Sequence, residues 1–395
     1  MCNSICRQKR PCLLKIRNYD FYFVLGPIPI KYPSGGIKII YALARQLRRR
    51  DYQVAIHFLT DHFRAARKTF PDKIVREWPL PAEFTKNILN NKLSFNFIVP
   101  FIRKAIGVDF KDDFEGIDLF FARSLPKNVL STRYFATDYA TAFFVEMRTP
   151  HAWKYFISLH DESDQAYLSN LSWLAAESYK LPLKLMVINS DMRSRYIQNS
   201  PLLFHVGIAD FFRNGCVEEL KRKRTSVLMP LRTGKMKGAI YGIEAAKLIH
   251  KNLSEVEIVA FGNYPKESVP DFIQYYYMPN DTTILDLYRK ATIFILPSLF
   301  EGFSLPPLEA MANGCAVVSS DCVGIREYMV DGVNGVLVPK GDPKSLYEGV
   351  SRLLKDETML RTLMNNGRKT AEKYSYENMT EEFLSVIEKY EKTVI

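Results

Sequence analysis

The chain has 395 residues, 47% of them hydrophobic, with 54 Lys and Arg against 43 Asp and Glu for a formal net charge of +11. That length exceeds one ordinary core and predicts two domains, while the composition excludes collagen-like, low-complexity and disordered classes. No apolar run approaches the roughly 18 residues needed to span a bilayer. The basic N-terminus lacks the apolar stretch and small-residue cleavage site of a secretory signal, which predicts a protein that stays in the cytoplasm.

The basic excess is confined to one half. Residues 1–200 carry 30 Lys and Arg against 18 Asp and Glu, and residues 201–395 carry 24 against 25. Such a half suits an acidic substrate or an anionic membrane surface, and the basic, apolar stretch from Phe95 to Val108 points to the membrane. No zinc-finger, helix-turn-helix or aromatic ribonucleoprotein motif accompanies it, so nucleic acid is not expected as a partner. Cys2, Cys6, Cys12, Cys216, Cys315 and Cys322 fit no zinc spacing and read as free thiols.

The elements follow in chain order. Residues 1–18 read as an irregular tail. Apolar Phe21–Leu25 predicts a strand, followed by a glycine-containing loop ending in Ser34, Gly35 and Gly36. Ile37, Ile40, Leu43, Ala44 and Leu47 then keep the helical period up to Arg50, and Val54–Leu59 reads as a strand. This βαβ opening predicts a parallel sheet covered by helices. Residues 62–112 read as helix with a break at Pro100. Further on, a strand leads to His160.

A second βαβ unit starts past mid-chain, with strand Ser226–Leu231, a turn carrying Arg232 and Lys237, helix Ala239–Lys251 and strand Glu257–Phe261. Helix and strand units continue as Thr283–Lys290, Thr292–Leu296, Leu305–Asn313 and Ala316–Ser319. Glu377–Val394 reads as one long helix. These patterns divide the chain into a tail at 1–18, an N-terminal Rossmann-like domain at 19–200, a second at 201–374 and a final helix at 375–395.

The stretch 297–314, PSLFEGFSLPPLEAMANG, carries the most chemistry. Ser304 is placed to cap a helix whose first turn tolerates Pro306 and Pro307. The amides of Phe303, Ser304 and Leu305 would make that helix start an anion site. Glu301 lies before the helix and Glu309 on it. Arg232 and Lys237, five residues apart, supply a planar fork and a point charge for phosphate oxygens. Gly35 and Gly36 let a ligand approach the backbone closely.

Glu301, seven residues and Glu309 in this setting resemble glycosyltransferase family 4, and residues 316–346 continue the likeness. The resemblance implies the GT-B architecture, α/β with two Rossmann-like domains facing each other across a cleft. It also implies transfer from a nucleoside diphosphate sugar, retention at the anomeric carbon and no metal cofactor; no Asp-x-Asp pair suggests one. By the same resemblance Glu309 binds the ribose and Glu301 the donor sugar, while Arg232 and Lys237 clamp the diphosphate. Gly35 and Gly36 then face the donor phosphates, and His160 acts near the sugar. The acceptor is a glycan or lipid-linked hydroxyl, in cell-surface polysaccharide synthesis, handled by the basic N-terminal domain.

Residues 154–196 are similar to the rhamnosyltransferase-type branch, which usually has Gln-Asp where this chain has His160–Asp161. A thymidine diphosphate 6-deoxyhexose and a uridine or guanosine diphosphate hexose both remain open as donors. Many members of the family have Gly where this chain has Ser304. The alternatives to a transferase are a non-catalytic nucleotide-sugar or glycan-binding subunit, a sugar-nucleotide epimerase or a phosphorylase on the same fold.

Overall fold

The computed structural model describes residues 16–26, 35–59, 116–122, 124–126, 129–148, 152–164, 171–213 and 225–394. Residues 62–112, Ser34 and the cysteines at 2, 6, 12 and 216 lie outside the described residues.

Short apolar runs bounded by polar turns form the strands. In the N-terminal part these are β1 (Arg17–Tyr19), β2 (Phe21–Leu25), β3 (Val54–Leu59), β4 (Ile117–Ala122), β5 (Val129–Ser131), β6 (Arg133–Ala136), β7 (Trp153–Ser158), β8 (Lys184–Val187) and β9 (Leu202–Leu203). Among the described residues, seven of them make one sheet in the order β4-β3-β2-β6-β7-β8-β9, and every pairing is parallel. Every residue of β2 and β3 is buried, as a parallel sheet with both faces covered requires.

The second sheet comprises β10 (Ser226–Leu231), β11 (Glu257–Gly262), β12 (Gln274–Tyr277), β13 (Ile293–Leu296), β14 (Ala316–Ser320) and β15 (Val336–Val338). Its order is β12-β11-β10-β13-β14-β15, again parallel throughout. Two doubly wound sheets are thus the frame of the molecule.

Several expectations shift by a few residues. The tail expected over 1–18 contributes β1, which pairs in parallel with β5. The first sheet takes in Leu202 and Leu203, beyond residue 200, because β9 continues the register of β8. The first helix runs Gly35–Arg49, so Gly35 and Gly36 form its first turn rather than a loop ahead of it. It stops where Asp51 adopts φ 65°, which directs the chain back into β3.

The final helix, Tyr376–Val394, leaves the second sheet and packs on the first. Phe383 meets Phe21, Phe135 and Phe204 at centroid distances of 6.2, 5.5 and 5.3 Å. Near its end Glu391 is gripped by Arg133 through two hydrogen bonds of 2.8 and 2.7 Å, and Tyr155 donates a third of 2.7 Å. Where the helix begins, Ile208 bridges to Ser375, and a Cβ on Gly207 would collide with the Ser375 carbonyl. His205 sits beside this crossing, its ring between Glu382 and Glu327 at 3.0 and 3.4 Å. Hydrogen bonds from the ring to the Glu327 and Glu382 carboxylates, working against burial, raise its pKa to about 9.

Glu391→Ala leaves Arg133 and Tyr155 without their acceptor in a largely buried place. We expect a loss of about 2–4 kcal/mol in urea unfolding. A variant as stable as the wild type would show that apolar packing alone holds the final helix.

Candidate active site

The parallel pairing of β10 with β13 brings together residues far apart in sequence. Arg232 follows directly on β10, and Glu301 lies in the loop after β13. Lys237 ends a short 3-10 turn, Lys235–Lys237, before helix Ala239–Asn252. All three sit at the C-terminal edge of the sheet, where open α/β sheets bind ligands.

Glu301 is the centre of the cluster. Its side chain is 6% exposed, and Arg232 and Lys237 reach its two oxygens at 2.6 and 2.9 Å. Ser298 donates a further hydrogen bond of 2.8 Å. Burial pushes the Glu301 pKa up, but the two cations and the hydrogen bonds outweigh it and hold the carboxyl at about 2. Glu301 is therefore an anion at any working pH, with both cations drawn to one point.

Glu309 lies on helix Leu305–Ala312 in a different setting. Tyr288 donates to it at 2.9 Å. Burial raises its pKa to about 7, against the opposing pull of Lys38, the Tyr288 hydroxyl and Arg232. The two carboxylates thus separate electrostatically: one fixed as an anion, one poised to take up a proton near neutrality.

The first sheet closes on this cluster. His160 follows two residues after β7 rather than ending it, and is half-buried. A Cβ on Gly302 would strike the Leu159 carbonyl and lie 3.3 Å from the His160 Cβ, so the loop after Glu301 presses on this segment. Only glycine permits that approach. Burial, then the charge of Lys237, lowers the His160 pKa to about 4, which keeps the ring neutral. Asn189 spans the same gap, donating to the Gly302 carbonyl at 2.7 Å while its oxygen caps helix Ser190–Arg195. Ser190 in turn binds the Glu327 carboxylate through its amide and hydroxyl, at 2.7 and 3.1 Å.

Gly35 and Gly36 open the helix that carries Lys38, and Lys38 bridges to both oxygens of Asp281 at 3.1 and 3.2 Å. That pair joins the first helix to the second sheet's side of the cleft. Phe303 is buried against Tyr328 and Tyr374. Leu305 is the first residue of its helix, with Pro306 next, as expected from the sequence.

Ser304 corrects the sequence reading. It occupies the cap position but makes no side-chain capping bond. At φ 69° and ψ 97° its backbone lies outside the extended region from which a capping hydroxyl reaches the helix amides. The amides of Phe303, Ser304 and Leu305 make no backbone hydrogen bond among the described residues.

Sequence reasoning missed Asn189, Ser298, Lys38 and Tyr288. The Asn-Ser-Asp run at 189–191 signals a helix start, but nothing local shows that Asn189 also reaches across the cleft.

Residues 216–370 match the family described as Glycosyl transferases group 1. That stretch is similar to group 1 glycosyl transferases. It contains Arg232, Lys237, Glu301 and Glu309. Relatives include an uncharacterized glycosyltransferase of Methanocaldococcus jannaschii, 38% identical over 27% of this chain and 28% of that protein. The poly(glycerol-phosphate) alpha-glucosyltransferase of Bacillus subtilis is 31% identical over 38% of this chain and 24% of its own length. The capsular polysaccharide biosynthesis glycosyltransferase CapM of Staphylococcus aureus is 30% identical over 38% of this chain and 43% of its own length. The likeness thus spans less than half the length of each of these relatives.

Among solved structures, sucrose-phosphate synthase from Thermosynechococcus elongatus covers 95% of this chain and 100% of its own, with a TM-score of 0.66 at 14% identity. Anabaena HepE in complex with UDP and glucose covers 94% of this chain and 100% of its own, with a TM-score of 0.61 at 13% identity. These likenesses show the fold, a GT-B architecture whose second half holds the stretch similar to group 1 glycosyl transferases.

The electrostatic split can be measured in the free protein. Glu309 is expected to titrate near pH 7 in carbon-detected NMR, and Tyr288→Phe to move it higher, because the lost hydrogen bond favoured the carboxylate. A folded pKa above the ordinary 4.5 means this site stabilises the fold below pH 4.5, and that share is lost as pH rises through 7. A Glu309 that titrates near 4.5 would refute the assignment.

Proposed function

We propose that the protein is a retaining glycosyltransferase moving a sugar from a nucleoside diphosphate sugar to a hydroxyl of a glycan or lipid-linked acceptor. The observation that carries this reading is the convergence of Arg232 and Lys237 on buried Glu301 at the sheet edge, with Leu159, His160 and Asn189 from the first sheet's side packed on the next residue, Gly302. A leaving diphosphate gains negative charge as the glycosidic bond breaks. Fixed cations stabilise that charge more in the transition state than in the ground state. Arg232 and Lys237 are partly exposed, with side chains 29% and 34% accessible, so a ligand can share them with Glu301.

In this reading Glu309 accepts hydrogen bonds from the ribose, and Glu301 holds the donor sugar while keeping the cations in place. Gly35 and Gly36 bring the first helix up to the donor phosphates. His160, kept neutral, contacts the sugar as a hydrogen-bonding group. Retention follows if the diphosphate departs first and one of its oxygens takes the acceptor's proton on the same face. The charge neutralisation that a divalent ion would supply falls to Arg232 and Lys237, so a chelator should leave turnover unchanged. The basic first half suits a lipid-linked acceptor at an anionic membrane surface, and among the described residues no helix is long and apolar enough to cross a membrane.

The test is hydrolysis and transfer measured across thymidine, uridine and guanosine diphosphate sugars, with and without acceptor, and NMR of the product's anomeric configuration. We expect transfer with retention. Rearrangement of a donor without acceptor would favour the epimerase reading, and binding without turnover the non-catalytic one. A 6-deoxyhexose donor and a hexose donor are separated in the same panel, with His160→Gln alongside.

Arg232→Ala and Lys237→Ala should each lower kcat roughly 100- to 1,000-fold, the scale seen when one preorganised transition-state donor is removed. Each single variant leaves Glu301 with the other cation and Ser298, so thermal melting should change less than turnover. Wild-type kcat in either folded variant would dismiss the diphosphate clamp.

A further inference from the structure

The peptide that follows Glu301 is held from both halves of the molecule. On the second sheet's side, the Gly324 amide donates to the Glu301 carbonyl at 3.1 Å, and a Cβ on Gly324 would run into the Gly302–Phe303 peptide. On the first sheet's side, Leu159 and His160 meet Gly302 itself. Glycine at both 302 and 324 lets these three stretches of backbone lie in contact. Such packing sets a separation but not an orientation, because apolar contact is non-directional and a hydrogen bond is not.

Asn189 supplies the direction. It is 1% exposed, and its Nδ2 donates to the Gly302 carbonyl at 2.7 Å. Its Oδ1 accepts from the Met192 amide at 2.8 Å, from the extended backbone of a helix cap. Both ends of the side-chain amide are thus engaged, one on each half. The cap by itself asks for an oxygen, which serine, threonine or aspartate would provide equally well. Asparagine adds an N–H donor to that oxygen, and the donor is spent beside Glu301. Arg232 and Lys237 tie the Glu301 carboxylate to the second half, whereas His160 belongs to the first. A peptide turned by Asn189 therefore turns Glu301 relative to His160, whose Cβ lies 3.3 Å from the place of a Cβ on Gly302.

We infer that Asn189 is a positioning residue for sugar transfer: through the Gly302 carbonyl it sets Glu301 against His160 across the cleft. The inference rests on the donor reading above and concerns the step at the sugar. Nucleotide binding in that reading falls to Arg232, Lys237 and Glu309, all on the second half, so Asn189 acts on turnover and not on the hold on the diphosphate.

The experiment compares wild type, Asn189→Ser and Asn189→Asp on the full chain. It measures kcat with the donor and acceptor that wild type uses best, calorimetric affinity for UDP, GDP and dTDP, and thermal melting. Asn189→Ser keeps a capping oxygen but is too short to reach Gly302. Its kcat is expected to fall roughly 10- to 100-fold, the scale of a small misplacement of reacting groups, with diphosphate affinity unchanged. Asn189→Asp keeps the cap and sets a carboxylate against the Gly302 carbonyl. Its kcat relative to wild type at the same pH is expected to rise as pH falls, because the protonated acid can donate where the amide did. Wild-type kcat in folded Asn189→Ser overturns the assignment, as does a loss of diphosphate affinity equal to the loss of kcat. A pH-independent ratio for Asn189→Asp overturns it too, since a cap alone is served by either form. Wild type that transfers no sugar from any of the three donor classes would remove the donor reading itself and this role with it, an outcome told apart by the wild type alone.

Discussion

A carboxylate taken out of water must find positive charge, and the active-site end of this molecule is organised by how Glu301 meets that demand. Its burial is tolerable only because Arg232, Lys237 and Ser298 arrive together on its two oxygens. Each arrives by a different route: the end of β10, a 3-10 turn, and the loop after β13. The register of the parallel sheet therefore fixes the site, since a slip of β10 against β13 would carry Arg232 out of reach. The same demand limits where the loop can go. With Glu301 tied down, Gly302 lies against Leu159, and the two sheets meet at the point where charge is concentrated.

That placement gives the two glutamates opposite characters. Glu301 faces two cations at hydrogen-bond distance and stays ionised, while Glu309, among the described residues, has a tyrosine hydroxyl directly and more distant charges beyond it. Sequence spacing alone places both as equivalents on either side of a helix start. Their difference arises from partners contributed by β10, by the turn at Lys235–Lys237 and by Tyr288, and so belongs to the tertiary structure.

The βαβ units were legible because their signals are local. Phe21–Leu25, Val54–Leu59 and Ser226–Leu231 are short apolar runs with polar ends, and the structure places strands over those residues. The helix at 305 was legible from Pro306, Pro307 and the apolar period that follows. Hidden were contacts between distant residues: Asn189 with Gly302 across 113 positions, and Lys38 with Asp281 across 243. Ser304 misled for a subtler reason. Serine before a helix usually caps it, but capping needs an extended backbone, and the tight approach of Phe303 and Tyr328 holds residue 304 at positive φ instead. Short β1 and β9 were missed because two or three residues carry no period.

Among the described residues the chain passes between the sheets twice, outward after β9 and back at Ser375, and the two passages touch where Gly207 meets the Ser375 backbone. Two crossings set well apart would act as the two pins of a door and confine the halves to a single axis. Crossings in contact act as a pivot instead, about which the halves can tilt or swivel without stretching either strand of chain. The travel of the cleft is then set at its far side, by how readily Lys38 leaves Asp281 and Asn189 leaves Gly302. A bulkier residue at 207 would separate the crossings and trade that freedom for a stiffer joint.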